Sequence, residues 1–238
     1  MCGYLRRHIA PKSLLEFLAL LEMPQLEFYF PEDGRPQHFY PAFGGIPEKQ
    51  IKDLVIYEDG QLKTVNATWW YECKAAGDTL RVNLGKQTLN ARNLHLECWR
   101  EAIHYRRGIA LATGIGEAIE RNGKKQQFYV EGVVPLLLGC VYQKFPNGLY
   151  SCAVITRNAH PRFKDFHDDA FPLMLPSDPA FLNLWLSNTS ETHPAIASLL
   201  DQPKIFTNLT VTPVKTYKDA VPLGASTVVT PDEWGMVS

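Results

Sequence analysis

Short strand-like segments separated by turn signals constrain the fold of this chain more than any other feature of its sequence. Four apolar runs have the length and composition of strands, namely residues 108–112, 127–130, 136–142 and 150–156. The dipeptide Asn122-Gly123, typical of a tight hairpin turn, separates the first run from the second. The regular strand–helix–strand alternation of a Rossmann-type fold is missing from the sequence. We therefore predict an α+β fold in a single domain over residues 1–238, with a curled, barrel-like, mainly antiparallel sheet and peripheral helices.

Helices are predicted at four places outside these runs. Leu14, Leu18 and Leu21 repeat at helical spacing between two prolines, and Ser177-Asp178-Pro179 is typical of the start of a helix. The predicted helices cover residues 12–22, 93–104, 178–187 and 194–200. A further hairpin is expected around Asp59-Gly60, which separates two strand-like runs.

Composition and charge exclude several classes of protein. Hydrophobic residues make up 45% of the chain and charged residues 21%, which is the balance of a globular domain. The formal net charge of -1 indicates that any contact with nucleic acid depends on a local basic patch. The apolar run 133–142 is too short to span a membrane, and no signal peptide is visible. We expect a monomeric, cytoplasmic protein that does not associate with a membrane.

The cysteines and histidines argue against disulfides, metals and cofactors. The five cysteines are an odd number, and none forms a CxxC pair. Neither a disulfide framework nor a structural zinc site is expected, and this cysteine usage fits a reducing compartment. The seven histidines show no ligand spacing with carboxylates or cysteines, so we expect no metal site and no cofactor.

The first three residues, Met1-Cys2-Gly3, carry the most specific chemical signal in the chain. Aminopeptidases that trim initiator methionine accept a small second residue, and trimming would leave Cys2 with a free α-amine beside its thiol. Such an amine titrates near ~8 and a thiol near ~8.5, so both are partly nucleophilic at neutral pH. The pair can attack an acyl carbon, or it can capture an aldehyde as an imine that closes to a five-membered ring.

Five segments, in order along the chain, resemble the motifs of one protein family. Met1-Cys2-Gly3 opens the series, and residues 89–92 (Leu-Asn-Ala-Arg) are similar to the family's NAR motif. Residues 107–117 resemble a stretch that ends in a glutamate, and residues 152–175 resemble a stretch that contains a histidine. Thr212-Pro213-Val214 is similar to the closing segment. The chain therefore resembles the SOS-response-associated peptidase (SRAP) family of abasic-site processing proteins.

This resemblance implies an activity, a partner and a set of site residues. Family members recognise abasic sites in single-stranded DNA and link an N-terminal cysteine to the ring-opened sugar aldehyde as a thiazolidine, after autocatalytic removal of the methionine. By resemblance, Cys2 is the nucleophile and Asn90 orients its amine and thiol. Glu117 is the general acid/base, and His167 assists proton transfer at the sugar oxygen. Ring opening and imine formation both move protons, so a carboxylate and an imidazole suit this chemistry.

The sequence also departs from the family pattern. Tyr4 stands where an arginine usually follows Cys-Gly, and the arginine of the histidine motif is missing. Pro172 lies five residues after His167 instead of four, and Asp168 occupies the ungapped position. We interpret this spacing as a one-residue insertion that leaves His167 in the site. Taken alone, Glu117 is more typical of a surface carboxylate, His167 of a structural histidine paired with an aspartate, and Asn90 of a residue that caps a turn.

Four residues are candidates for contact with DNA. Trp69 and Trp70 resemble an aromatic segment of the family, and an exposed indole stacked on a base contributes about 1–3 kcal/mol. The alternative for both tryptophans is a place in the hydrophobic core. Arg92 and Arg107 are candidate phosphate contacts, and such contacts would make binding depend steeply on salt.

Two other functions use the same residues. Met-Cys-Gly also opens glutamine amidotransferases of the N-terminal-nucleophile class, in which the cysteine hydrolyses glutamine. A binding protein that retains the fold but has lost the chemistry is the second alternative, because the histidine motif is altered. Crosslinking to abasic DNA, glutaminase activity, and binding that survives a Cys2→Ala substitution separate the three.

Overall fold

The computed structural model describes residues 3–9, 11–24, 26, 35–187 and 193–234. Met1 and Cys2 lie outside the described residues. The described helices are α1 (Pro11–Leu20), α2 (Glu97–Tyr105), α3 (Pro179–Leu186) and α4 (Pro194–Asp201). The strands are β1 (Leu5–Arg7), β2 (Gln37–Phe39), β3 (Gln50–Glu58), β4 (Gln61–Trp69), β5 (Cys73–Ala76), β6 (Thr79–Val82), β7 (Asn90–Ala91), β8 (Arg107–Arg121), β9 (Lys124–Lys144), β10 (Tyr150–Asn158), β11 (Ala170–Pro172), β12 (Leu209–Val214) and β13 (Thr227–Val229).

Five strands of the large sheet close into a ring in the order β9, β10, β4, β3, β8 and back to β9. The pairings within this ring are antiparallel except that of β10 with β4, which is parallel, as is the pairing of β10 with β7 outside it. The predicted α+β class and the mainly antiparallel sheet are thus confirmed. The strands form a ring and not a true barrel, because other strands extend from it as an open sheet.

The longest hairpin, β8–β9, turns at the predicted dipeptide. Asn122 and Gly123 have φ angles of 52° and 70°. Positive φ at both central positions is what a tight two-residue hairpin turn requires, and glycine and asparagine adopt it most readily.

A register shift divides this hairpin into two parts. Residues 132–135 of β9 bulge opposite Thr113 of β8, so the pairing resumes with Gly114 opposite Glu131. Before the shift, β8 pairs with β3 and belongs to the ring; beyond it, β8 pairs with β1. β-Bulges bend a strand and re-aim its side chains. Glu117 therefore lies on the part of β8 that extends beyond the ring.

Both faces are buried along β10, most of β8 and the second half of β9, which explains why these strands are long apolar runs instead of alternating ones. Leu138 and Cys140 pack into one apolar cluster, whereas Leu137 and Val141 pack into a second cluster on the opposite face. Helices α2, α3 and α4 contribute to the second cluster, where Trp185 is fully buried. Each fully buried side chain of this size contributes about 1.5–3 kcal/mol to the stability of the platform that carries the site.

Most of the predicted elements are present, with changes in their bounds. The helices predicted at 12–22, 178–187 and 194–200 correspond to α1, α3 and α4, while the one predicted at 93–104 begins only at Glu97. The strand-like runs at 108–112 and 127–130 are parts of much longer strands. The four cysteines in the described part of the chain are free. None of the described helices is long and apolar enough to cross a membrane.

Candidate functional site

A buried carboxylate, Glu117, lies at the centre of the candidate site. Only 2% of the residue is exposed, and its neighbours on β8, Gly116 and Ala118, are small. Burial raises the pKa of this carboxyl above its ordinary value of 4.5, and the nearby His167 acts in the opposite direction. Desolvation disfavours a charged carboxylate, so the environment favours a protonated acid that can donate a proton. The interpretation of Glu117 as a surface carboxylate is therefore wrong.

His167 is the second buried titratable residue of the site. It follows the 3-10 helix Pro161–Phe163, and its backbone N–H donates to the carbonyl of Phe163. Its Nδ1 lies 2.7 Å from the carbonyl oxygen of Ala118 and 3.6 Å from Oε2 of Glu117. A carbonyl oxygen can only accept, so Nδ1 carries a hydrogen and donates it to Ala118. Asp168 is exposed, in keeping with the interpretation of the altered spacing as an insertion.

Asn90 is positioned by two strands and a tryptophan. It lies opposite Val154 in the parallel pairing of β7 with β10, and only 9% of it is exposed. The carbonyl of the preceding Leu89 accepts from Val154 N at 3.2 Å and from Nε1 of Trp69 at 2.9 Å. Because both groups hold the backbone of Leu89, they fix the place of the Asn90 side chain.

Arg92 connects the strand of Asn90 to the segment that carries His167. Its Nη1 lies 2.6 Å from Oδ1 of Asp169, and its Nη2 donates to the carbonyl oxygen of Asp169 at 2.6 Å. The hydrogen bond from Arg92 lowers the pKa of Asp169. Asp169 in turn raises the pKa of Glu117, and His167 lowers the pKa of Asp169. The ion pair therefore brings a negative charge to the edge of the Glu117–His167 pair.

The N-terminal strand runs antiparallel to the part of β8 that carries Glu117. The amide of Gly116 donates to the carbonyl of Tyr4 at 3.1 Å, and Leu5 lies opposite Ile115. The hydroxyl of Thr113 donates to the carbonyl of Arg6 and holds the other end of β1. Tyr4 is thus adjacent, across the sheet, to the residue that precedes Glu117. The predicted nucleophile Cys2 lies two residues before Tyr4 and outside the described residues.

Two open grooves adjoin these residues. One, of about 650 Å³, has Asn90, Arg92 and Asn93 in its lining. The other, of about 380 Å³, has His167 and Tyr217 in its lining. Among the residues that the structure describes, no group of three histidine, cysteine or acidic side chains is arranged to hold a metal ion.

Three of the four predicted DNA contacts are wrong as stated. Trp69 and Trp70 are 0% and 3% exposed, and their Nε1 atoms donate to the carbonyls of Leu89 and Asn83. Neither indole presents a face to a base, because both fill the core. Arg107 is 2% exposed and is a structural residue. Its guanidinium donates to the carbonyls of Ile103, His104, Trp185 and Ser187. Arg92, the fourth, lines a groove.

Sequence reasoning missed two features of the site. The first is Asp169, whose partner is Arg92 and not the nearby histidine. The sequence offers one signal for Asp169: it is an acidic residue two positions after His167, in a motif that usually contains an arginine. The second is a set of tyrosines around Tyr4, and the replacement of an arginine by Tyr4 is the only sequence signal for that set.

The solved structures similar to this chain have the same fold. An X-ray structure of a protein from Bordetella bronchiseptica is 17% identical, with a TM-score of 0.63 over 90% of this chain and 100% of that one. A phage-related protein from the same organism is 19% identical, with a TM-score of 0.61 over 93% and 100%. A protein from Bacteroides thetaiotaomicron is 16% identical, with a TM-score of 0.60 over 90% and 92%. No curated protein matches the chain.

These structural similarities show the fold alone, so the family is identified from the sequence. The family model described as SOS response associated peptidase (SRAP) matches residues 1–219, which is most of the chain. The match runs from the N-terminal Met-Cys-Gly through Asn90, Glu117 and His167. The chain belongs to the SOS response associated peptidase family.

Proposed function

We propose that this protein recognises abasic sites in single-stranded DNA and becomes covalently linked to them through Cys2. Family membership associates the chain with the response to DNA damage. The observation that carries the finer proposal is the burial of Glu117 beside His167, at the point where the N-terminal strand meets β8. Aldehyde capture requires groups that exchange protons beside a correctly placed aminothiol. The acid of raised pKa, the imidazole and the strand that leads from the N-terminal cysteine suit this requirement.

The proposed reaction starts with hydrolysis of the Met1–Cys2 peptide bond by the protein itself, which consumes one water. The freed α-amine of Cys2 then adds to C1′ of the ring-opened sugar and gives a carbinolamine. Protonation of its hydroxyl group releases water and forms an imine. The thiol sulfur adds to the imine carbon, its proton passes to the nitrogen, and the thiazolidine closes. The crosslink therefore has the mass of protein plus DNA minus one water.

Each described residue has a separate task in this sequence. Burial raises the pKa of Glu117 and so favours its protonated form, which delivers a proton to the departing hydroxyl group. His167 exchanges a proton at Nε2 when the sugar ring opens. Asn90, on β7, orients the amine and thiol. Arg92 contacts a phosphate of the bound strand once its contact with Asp169 opens.

The test is a crosslinking assay on a defined lesion. Purified protein is incubated with a single-stranded oligonucleotide that carries one abasic site, and the products are separated on a denaturing gel. We expect a shifted band with the mass of protein plus DNA minus one water, together with loss of Met1 in the intact mass of the free protein. The same oligonucleotide with its aldehyde reduced to an alcohol is the matched control and should give no band.

Substitutions and a second assay separate the proposal from its alternatives. Cys2→Ala should abolish the band, because both the thiol and ring closure depend on that side chain. A Cys2→Ala protein that protects abasic DNA as well as the wild type would show a non-covalent binding protein instead. Hydrolysis of glutamine without any crosslink would show an amidotransferase-like enzyme.

A further inference from the structure

Aromatic rings surround the start of the N-terminal strand. Tyr4 is fully buried, and its ring lies 5.2 Å from that of Tyr217 at an interplanar angle of 28°, which is a stacked pair. Tyr40 packs against the same ring at 5.3 Å. The hydroxyl of Tyr4 lies 2.8 Å from Nδ1 of His38 on β2. We name Tyr4, Tyr40 and Tyr217 the tyrosine clamp.

The clamp fits against β8 only because a glycine lies beneath it. A Cβ atom added to Gly116 would lie 2.5 Å from Cγ of Tyr217, closer than such atoms ever approach. The amide of the same glycine donates to the carbonyl of Tyr4. Gly116 thus holds the strand by its backbone while it leaves room for the ring that presses on Tyr4. This is close approach of the kind that excludes any side chain.

The turn that carries Tyr217 is itself held by hydrogen bonds. The turn follows β12. Within it, the amide of Lys215 donates to the carbonyl of Val221, and the amide of Ala220 donates to that of Thr216. The hydroxyl of Thr216 donates to the carboxylate of Asp219 at 2.8 Å. These bonds fix the direction of approach of the Tyr217 ring, which also lines the groove that contains His167.

We propose that Tyr217 is a positioning residue that holds the N-terminal strand against β8, so that the aminothiol of Cys2 is directed at Glu117. This inference rests on the proposed function. Tyr4 is two residues from Cys2 in sequence, and its carbonyl is bonded to the residue before Glu117. The stack therefore sets the position and angle of the strand at its reactive end. A misplacement of about 1 Å at a reacting centre can cost about 100-fold in rate.

The experiment compares Tyr217→Ala, Tyr217→Phe and Tyr105→Ala with the wild type. Tyr105 is an exposed tyrosine at the end of α2 and lies outside the clamp. Each protein reacts with single-stranded abasic DNA and with 2-deoxyribose 5-phosphate, an aldehyde that has no flanking nucleotide. The maximal rate and the dissociation constant for DNA with an unreactive tetrahydrofuran site are measured separately. Hydrogen exchange at the amide of Gly116 reports the position of the strand without any substrate.

We expect Tyr217→Ala to lower the maximal rate about 10- to 100-fold with both aldehydes and to leave the dissociation constant unchanged. Exchange at the Gly116 amide should become about tenfold faster or more, because its acceptor on Tyr4 moves away. Tyr217→Phe should restore both the rate and the protection, since the stack depends on the ring and not on its hydroxyl. Tyr105→Ala should behave as the wild type does.

Three results would overturn the inference. The first is a Tyr217→Ala protein with normal Gly116 exchange, because the strand would then be in place without the clamp. The second is normal rates in that variant. The third is a loss confined to DNA and expressed as weaker binding, which would make Tyr217 a nucleotide contact. A wild-type protein that reacts with neither aldehyde would refute the proposed function, and the exchange measurement would still decide whether the clamp holds the strand.

Discussion

Nδ1 of His167 lies 3.6 Å from Oε2 of Glu117, yet its hydrogen bond goes to the carbonyl of Ala118 at 2.7 Å. The nitrogen that faces the carboxyl therefore already carries a hydrogen and cannot accept a proton from it. Glu117 and His167 do not form a relay through this contact. In the proposed reaction each residue exchanges protons with the substrate at its own atom, so substitutions of the two residues should affect different steps.

Replacing Glu117 with glutamine should slow crosslinking about 100-fold or more, because an amide has no proton to deliver to the carbinolamine hydroxyl. The measurement is the initial rate of band formation on abasic single-stranded DNA. Glu120→Gln is the matched control, since Glu120 is an exposed glutamate on the same strand. Equal rates for Glu117→Gln and the wild type would remove this carboxyl from the mechanism.

The same substitution should change how stability depends on pH. Burial raises the pKa of Glu117, so the folded chain keeps a proton there at pH values at which the unfolded chain has lost it. The stability of the wild type therefore falls as pH rises above the ordinary glutamate pKa of 4.5 towards the raised one. Glutamine has no such cost. Thermal unfolding between pH 4 and pH 8 should show the melting temperature of Glu117→Gln rising relative to that of the wild type as pH rises. Each kcal/mol of difference in stability shifts the melting temperature by about 2–4 °C. A difference that is independent of pH would contradict this expectation.

Asp169→Asn should strengthen binding to single-stranded DNA. The ion pair that occupies the guanidinium of Arg92 is partly exposed, so its loss is worth up to about 1 kcal/mol, or about fivefold in affinity at low salt. If Arg92 then contacts one more phosphate, the plot of log K against log salt should steepen by about 0.7. Asp168→Asn removes a neighbouring exposed charge and serves as the control. The same gain in both variants would point to net charge instead of the release of Arg92.

Arg107→Met should destabilise the fold without a specific effect on DNA binding. The buried guanidinium, whose pKa burial lowers to about 10, satisfies carbonyls at the ends of α2 and α3. Removing it leaves several buried acceptors unsatisfied, at a cost of about 3 kcal/mol or more in the free energy of unfolding. Urea denaturation measures the loss. Arg106→Met, which breaks a more exposed ion pair with Glu101, should cost about 1 kcal/mol or less. A weaker affinity for DNA in folded Arg107→Met protein would restore the original assignment.

Trp69→Phe should slow crosslinking although Trp69 contacts no substrate. The indole Nε1–H holds the carbonyl of Leu89, and phenylalanine keeps most of the packing but lacks that donor. Asn90, the next residue, should lose its fixed orientation. We expect a lower maximal rate with an unchanged dissociation constant for unreactive DNA. A variant that binds DNA more weakly at an unchanged maximal rate would show that the tryptophan contacts the strand after all.

The parts of the fold that sequence could predict are those with local signals. Asn122-Gly123 predicts the long hairpin because two consecutive residues must adopt positive φ. Strands β1 and β7 have three and two residues, too few to show any periodicity, and they exist only through pairing with distant strands. The curled sheet follows from the strand pattern, whereas the closing of the ring depends on long-range pairings that no local window contains.

The candidate site divides in the same way. Asn90, Glu117 and His167 could be nominated from motif resemblance, but only the fold shows that the last two are buried neighbours. Trp69 and Trp70 were open to two interpretations, because composition does not tell which face of a strand meets the core. The ion pair between Arg92 and Asp169 joins residues 77 positions apart, and its one sequence signal is an acidic residue where the histidine motif lacks its arginine.

The register shift after Ala112 divides one hairpin between the closed ring and the open part of the sheet. On one side, side chains must satisfy a closed circuit of strands, so few replacements are tolerated. On the other side, the chain lies outside that circuit, so the residues there can change without opening it. A scaffold partitioned in this way allows the residues around Glu117 to change while the circuit of strands stays closed.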